Sequence, residues 1–152
     1  MPTVDETPEL TFDWLVRVYY EDTDAGGVVY HGRYLNFFER ARTEWLRTLG
    51  YEQDRLREQE GILFAVRHVD IDYLAPARFN DALRLAARLT RVAGASLEFE
   101  QHALRDADGS CCCRAQVKVA CVDTETLRPT RLPRHLASDL LVLMRAPAES
   151  PS

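Results

Sequence analysis

The sequence predicts a single α+β domain, an antiparallel β-sheet wrapped around a long central helix. Three observations carry that expectation. One long helical pattern stands near the start and is more apolar than a surface helix needs. Segments with a period of two follow it. Turn signals separate these segments, Gly94 and the pair Asp108-Gly109 among them. One helix followed by a run of antiparallel strands is an α+β arrangement, and a sheet curled around a buried helix is one way to build it.

In chain order, residues 1–13 read as a flexible arm with two prolines and little periodicity. Residues 14–145 form the domain, and 146–152 read as a disordered tail. Trp14 and Leu15 enter the first strand, where Val16, Val18 and Tyr20 alternate with Arg17, Tyr19 and Glu21. The helical pattern runs from about Val28 to Leu49. Its stripe is Leu35, Phe38, Ala41, Trp45 and Leu49, widened by Tyr34, Phe37 and Leu46. Arg40 and Glu44 are spaced to pair on its surface, and Gly50 is a stop signal. The charged stretch from Tyr51 to Gly61 suits a short helix.

Four strand patterns come next. Val69, Ile71 and Tyr73 alternate with His68, Asp70 and Asp72 in one, and Leu83, Leu85, Ala87 and Leu89 alternate with Arg84 and Arg88 in another. Leu97, Phe99 and Gln101 mark a third, although Gln101 is a poor core residue. Cys111, Cys113, Ala115, Val117 and Val119 mark the last, which can run on to Val122. Pro129 and Pro133 bracket a turn, and Leu136, Leu140, Leu141 and Met144 suggest a closing helix.

Composition excludes several classes of function. The chain has 152 residues, 46% of them hydrophobic and 28% charged, which fits one globular core. No apolar run is long enough to span a membrane, and the acidic N-terminus does not read as an export signal. The net charge of −5 argues against a nucleic-acid surface. The four cysteines include the adjacent Cys111-Cys112-Cys113, which is neither a disulfide framework nor a zinc spacing. Reduced thiols, strand packing and a cytoplasmic location are expected. No metal and no resident cofactor are expected.

The richest stretch is Tyr19 to His31, YYEDTDAGGVVYH. It sets an acidic cluster, Glu21, Asp22 and Asp24, beside Gly26 and Gly27 where a strand hands over to a helix. A helix N-terminus carries unpaired N–H groups and partial positive charge. A carboxylate beside such donors meets the needs of acyl transfer: an attacking group or base, and a holder for an oxyanion. Asp24 can instead be a plain N-cap. A calcium loop fits poorly, because Gly26 takes a ligand position and Arg33 stands where the bidentate Glu belongs. The phosphate-loop pattern is absent.

The run VRVYYEDTDAGGVVYH, continued by Tyr34, Leu35 and Glu39-Arg40-Ala41-Arg42-Thr43-Glu44, resembles the YbgC-type, Tol–Pal-associated acyl-CoA thioesterases. These belong to the 4-hydroxybenzoyl-CoA thioesterase branch of the hotdog fold. Tyr73-Leu74-Ala75-Pro76-Ala77-Arg78, Cys121-Val122-Asp123 and Leu132-Pro133 extend the likeness from about Leu15 to Leu140. The resemblance implies a hotdog domain that hydrolyses an acyl-CoA to a free acid and coenzyme A. It implies Asp24 as nucleophile or as general base on water, and the His31 N–H as the group that polarises the thioester carbonyl. The His31 imidazole would orient Asp24 or the leaving group. Gly27, Val28 and Tyr30 are the further oxyanion or substrate-binding candidates. It also implies a site at a subunit interface, hence a homodimer or homotetramer, with acyl carrier protein as a further partner.

Each candidate has a plainer reading. His31 can be a helix-surface histidine, Tyr30 a packing residue, and Asp22 a turn or cap residue. Glu39 is a rival carboxylate, since another hotdog branch places its acid on the central helix. Beside Arg40 and Arg42, a surface ion pair accounts for it. His68, His102 and His135 read as ordinary polar residues. Arg91, Arg128, Arg131 and Arg134 are candidates for the coenzyme A phosphates, because arginine forks bind phosphate well. Solvated surface arginines are the plain alternative. Arg91-Val92-Ala93-Gly94 replaces the dense basic patch of the aromatic-substrate branch, which tells against 4-hydroxybenzoyl-CoA. The rival function is a module that holds an acyl-CoA or acyl carrier protein without turning it over.

Overall fold

A computed structural model describes residues 12–145. The residues of the arm before Phe12 and the tail 146–152 lie outside the described residues. Five strands form one sheet in the order β1-β3-β4-β5-β2, with every pair antiparallel. They are β1 (Phe12–Arg17), β2 (Ile62–Tyr73), β3 (Ala82–Val92), β4 (Ser96–Arg105) and β5 (Cys111–Asp123). Helix α1 (Arg33–Thr48) packs on one face of this sheet. α2 (Gln53–Arg55) runs on into a π-helical turn at Leu56–Glu60, and α3 (Arg134–Arg145) closes the domain.

The core lies between α1 and the inward face. Tyr34, Phe37, Phe38, Ala41, Trp45 and Leu46 are buried from the helix. They meet Leu83, Leu85, Leu97, Phe99, Val117 and their neighbours on the strands. Burying each large side chain is worth roughly 1.5–3 kcal/mol, so this one helix contributes much of the drive to fold. Leu35, expected inside, is exposed. A near-heptad stripe assigns it inward, but at 3.6 residues per turn Tyr34, Phe38, Ala41 and Trp45 share a face and Leu35 stands beside it. The expected Arg40–Glu44 pair does not form; Glu44 instead meets Arg47 at 2.6 Å.

Four boundaries differ from the sequence reading. β1 begins at Phe12, two residues inside the expected arm, and ends at Arg17. The chain then turns through a 3-10 turn at Tyr20–Asp22, so Tyr19 to Glu21 do not continue the strand. α1 starts at Arg33 rather than near Val28, because Val28 and Val29 form β-bridges with Arg78 and Thr23. β2 starts at Ile62, well before the expected alternation at His68, and a register shift lies between Val66 and His68. Such a bulge inverts the faces, so no single alternation runs the strand's length.

Candidate active site

Asp24 sits on a closed loop between β1 and α1. Its N–H donates to the Val28 carbonyl at 2.9 Å, and the Gly27 N–H donates back to the Asp24 carbonyl at 3.0 Å. The Asp24 Oδ1 accepts from the Gly26 N–H at 2.8 Å and from the Val28 N–H at 3.4 Å. Gly27 has φ +85°, a conformation that side-chain-bearing residues avoid. Asp24 Oδ2 has no hydrogen-bond partner among the described residues, so one carboxylate oxygen stays free while the other is held. Asp24 is not the N-cap of α1. Gly32 holds that position without a side-chain cap.

Asp22 anchors the loop. It is 6% exposed, accepts the Tyr19 N–H at 2.8 Å, and pairs with the Arg33 Nε at 3.0 Å. Its carbonyl accepts the Tyr30 N–H at 2.9 Å. Arg33 also donates to the Glu21 carbonyl at 2.8 Å. The acidic cluster thus divides its work: Asp22 ties the loop to the first turn of α1, and Asp24 faces outward. A third tether runs from the Val29 N–H to the Ala77 carbonyl at 2.8 Å.

Asp24, Val28, His31, Tyr34, Tyr73 and Cys112 line a cleft of about 330 Å³, with Val29 and the 74–76 segment completing it. Gly27 and Val28 use their N–H groups inside the loop. The N–H groups of His31 and Gly32 have no acceptor among the described residues, and they precede the helix start, where the dipole favours negative charge. The His31 ring stands 4.4 Å from that of Tyr30 and edge-on to Tyr73 at 5.8 Å. Tyr73 fixes the segment by donating its hydroxyl to the His31 carbonyl at 3.2 Å. Burial raises the Tyr34 and Tyr73 phenols above their usual range, so both are neutral hydroxyls here. Gly32 leaves room for Tyr30, whose ring would stand 2.8 Å from an added Cβ.

From the sequence, Tyr34, Tyr73 and Cys112 have only packing roles, in the helix stripe and the strands, and no part in the site. The motif Tyr73-Leu74-Ala75-Pro76 was a signal for two walls of this cleft; nothing local pointed to Cys112. Glu39 lies on a different face of α1, in a second cleft, and forms no ion pair among the described residues. The surface pair expected with Arg40 or Arg42 is therefore replaced by an unpaired carboxylate.

The four arginines lie elsewhere. Arg91 is paired with Glu98 at 3.9 Å near the β3–β4 hairpin. The Arg131 Nη1 lies over Gly94 of that hairpin, and Arg128 receives the Asp123 N–H at 2.9 Å at the far end of β5. Arg134 opens α3. The cleft that holds Asp24 is at the opposite end of β5, beside Cys112. With 13 residues in β5, the two ends stand roughly 40 Å apart by strand rise. Within one chain the arginines and Asp24 are not brought together.

A sheet packed on a buried helix carries here a carboxylate and unbonded amide donors in one cleft at a helix start, the two parts that acyl transfer needs. The chain belongs to the thioesterase-like superfamily, whose model matches residues 18–140. It falls with the YbgC relatives that the sequence motif indicated. It is 48% identical over 125 residues to the acyl-CoA thioesterase YbgC of Haemophilus influenzae, covering 82% of this chain and 90% of that one. It is 44% identical over 128 residues to the acyl-CoA thioester hydrolase YbgC of Escherichia coli, covering 84% and 94%. A solved structure of a probable thioesterase from Bartonella henselae matches with TM-score 0.76 at 40% identity, over 81% of this chain and 99% of that one. The fold is that of the hotdog thioesterases, and the chain is a thioester hydrolase by this membership. Among the described residues no helix is long and apolar enough to cross a membrane.

Proposed function

We propose that this protein hydrolyses acyl-CoA thioesters to a free carboxylic acid and coenzyme A, with Asp24 as the group that acts on the thioester. The observation that carries the reading is the free Oδ2 of Asp24 on a loop closed by its own backbone bonds, in one cleft with the start of α1. The His31 N–H, seconded by that of Gly32, receives the thioester oxygen as it takes on negative charge. Removing one such donor typically costs about 10²–10³ in rate.

Two routes share this geometry. As nucleophile, Asp24 Oδ2 bonds to the carbonyl carbon, the C–S bond breaks and coenzyme A leaves as thiolate. Water then opens the mixed anhydride, restoring the carboxylate and releasing the acid. As general base, Asp24 takes a proton from water, the hydroxide oxygen adds to the carbonyl carbon, and the proton passes to the departing sulfur. The steps draw only on protein groups and water. Coenzyme A is product, and no resident cofactor is proposed; acyl carrier protein is a further thioester partner.

The assembly proposed is a homodimer or a homotetramer in the cytoplasm. β2 is an edge strand whose outer side has no pairing partner among the described residues, and Val66 on it is 48% exposed. Such an edge invites pairing with a second copy. Two-fold antiparallel pairing about the middle of β2 sets the Ile62 end of one copy beside Tyr73 of the other. Ile62 is in register with Asp123, so the partner's copy of the Arg128–Arg134 segment approaches this chain's cleft. That is how the phosphates of coenzyme A reach arginines that one chain holds too far away.

The test is a panel of short, long and aromatic acyl-CoA thioesters, read by thiol release. Hydrolysis of at least one class with turnover supports the reading. Binding of acyl-CoA with no thiol release in any class overturns it in favour of a holding module. A single turnover with excess enzyme in ¹⁸O water probes the two routes. Label in Asp24 marks an anhydride opened at the aspartyl carbonyl, whereas label in the released acid alone fits the base route or an anhydride opened at the acyl carbon.

A further inference from the structure

A second cleft of about 330 Å³ opens between α1 and the β2–β5 side of the sheet. Its walls are apolar, with Leu35, Phe38, Phe64, Val69, Val117 and Val119 among them. Of the polar side chains that line it, the Gln53 Nε2 donates to the Thr43 Oγ1 at 3.1 Å. Arg42 is different. Its Nη1 donates to the Gln101 Oε1 at 2.9 Å, and the Gln101 Nε2 donates to the Phe38 carbonyl at 3.0 Å. Gln101 is 0% exposed, so its amide cannot rotate without breaking both bonds. It sets the direction of the guanidinium.

A guanidinium has five N–H donors. Among the described residues Arg42 makes this single side-chain bond and meets no carboxylate at ion-pair distance. Burial acts to lower its pKa, and the charge of Glu39 counters that from beyond contact. Glu39 lines the same cleft and has no hydrogen-bond partner among the described residues. The remaining donors of Arg42 and the exposed Glu39 carboxylate thus stand at the edge of the apolar wall, with the exposed Asn36 amide also on the lining. A carboxylate would suit Arg42 and be repelled by Glu39. A hydrocarbon terminus would leave the Arg42 donors without an acceptor. A hydroxyl accepts from one and donates to the other.

The two clefts are neighbours. Tyr34 lines the catalytic one, and Leu35 and Phe38 line the second. On β2, Tyr73 and Val69 do the same, roughly 13 Å apart by strand rise. We propose that the second cleft receives the far end of the acyl group and selects a chain that ends in a hydroxyl, held between Arg42 and Glu39. This names the substrate class of the site and rests on the thioesterase reading above.

The experiment compares straight-chain acyl-CoA thioesters, short to long, with their ω-hydroxy and ω-carboxy counterparts by thiol release. In the wild type the ratio of kcat/KM for the hydroxylated over the plain chain reaches roughly tenfold or more at one matching length. Arg42→Gln brings that ratio close to one. Glu39→Gln leaves the Arg42–Gln101 bond in place and lowers the ratio about threefold. It decides the matter if circular dichroism shows that Arg42→Gln does not fold. A ratio near one at every length overturns the proposal and leaves the hydrolysis standing. So does a preference for the ω-carboxy chain, or a ratio that neither folded variant changes. No hydrolysis of any thioester in the panel overturns the thioesterase reading and this proposal with it.

Discussion

At the scale of the residue, two aspartates close together in sequence sit in opposite surroundings. Asp22 is buried and answered by Arg33 and the Tyr19 N–H. Asp24 is exposed, with one oxygen tied down and one open. The difference depends on the tight turn at Gly27, whose φ of +85° an alanine adopts only under strain. Gly27→Ala meets no steric neighbour there, so its effect isolates the backbone. It should lower stability by about 1–2 kcal/mol and kcat by more than KM, as the loop opens and Asp24 swings away. Thermal melting and steady-state kinetics check both. Wild-type kcat with a lowered melting temperature would separate the loop from the chemistry.

At the scale of the element, long regular patterns were legible and interruptions were not. The inward sets of β3 and β4 appear where the period of two places them, Gln101 included. The α1 start escaped reading because Gly32 caps it without a side chain and two valines ahead of it bridge to other segments. The Arg42–Gln101 contact joins residues 59 apart in the chain, and no local pattern records it. On β5, Cys112 and Cys113 are both buried, and Cys111 is only half-buried. A register shift between Ala103 and Leu104 breaks the alternation at that end.

Burial pushes the Cys113 thiol from 9.0 up to about 12 and the Cys121 thiol up to about 11. Both folded values lie above the unfolded one, so their contribution to stability is fully present below about pH 9 and is lost as the pH rises through 11–12. In reducing buffer the melting temperature should hold steady to about pH 9 and then fall. Cys113→Val combined with Cys121→Val should flatten part of that fall. An identical alkaline profile in the double variant would contradict the assignment.

At the scale of the whole molecule, one chain holds Asp24 and the Arg128–Arg134 segment at opposite ends of the sheet, and the proposed dimer would bring them together across its two-fold axis. Mixing two variants that are each impaired on acyl-CoA tests this. One carries Asp24→Asn, and the other carries Gln at 128, 131 and 134. In a mixed dimer with arginines supplied across the interface, one of the two sites has both parts intact. Activity on acyl-CoA should then return to an appreciable fraction of wild type. No recovery, with mixed dimers confirmed by mass spectrometry, would place the phosphate site within one chain or on other residues. A short thioester that lacks the nucleotide should be hydrolysed nearly as well by the triple variant as by the wild type.

The central claim is that Asp24 performs chemistry, and Asp24→Asn measures it most directly. Asparagine keeps the size of the side chain and an oxygen to accept the Gly26 N–H, so the loop can close as before. The substitution removes the charge that either route needs. The account predicts that kcat falls by roughly 10² or more while the melting temperature and acyl-CoA binding stay near wild type. Turnover within a few-fold of wild type in a folded Asp24→Asn protein would contradict it.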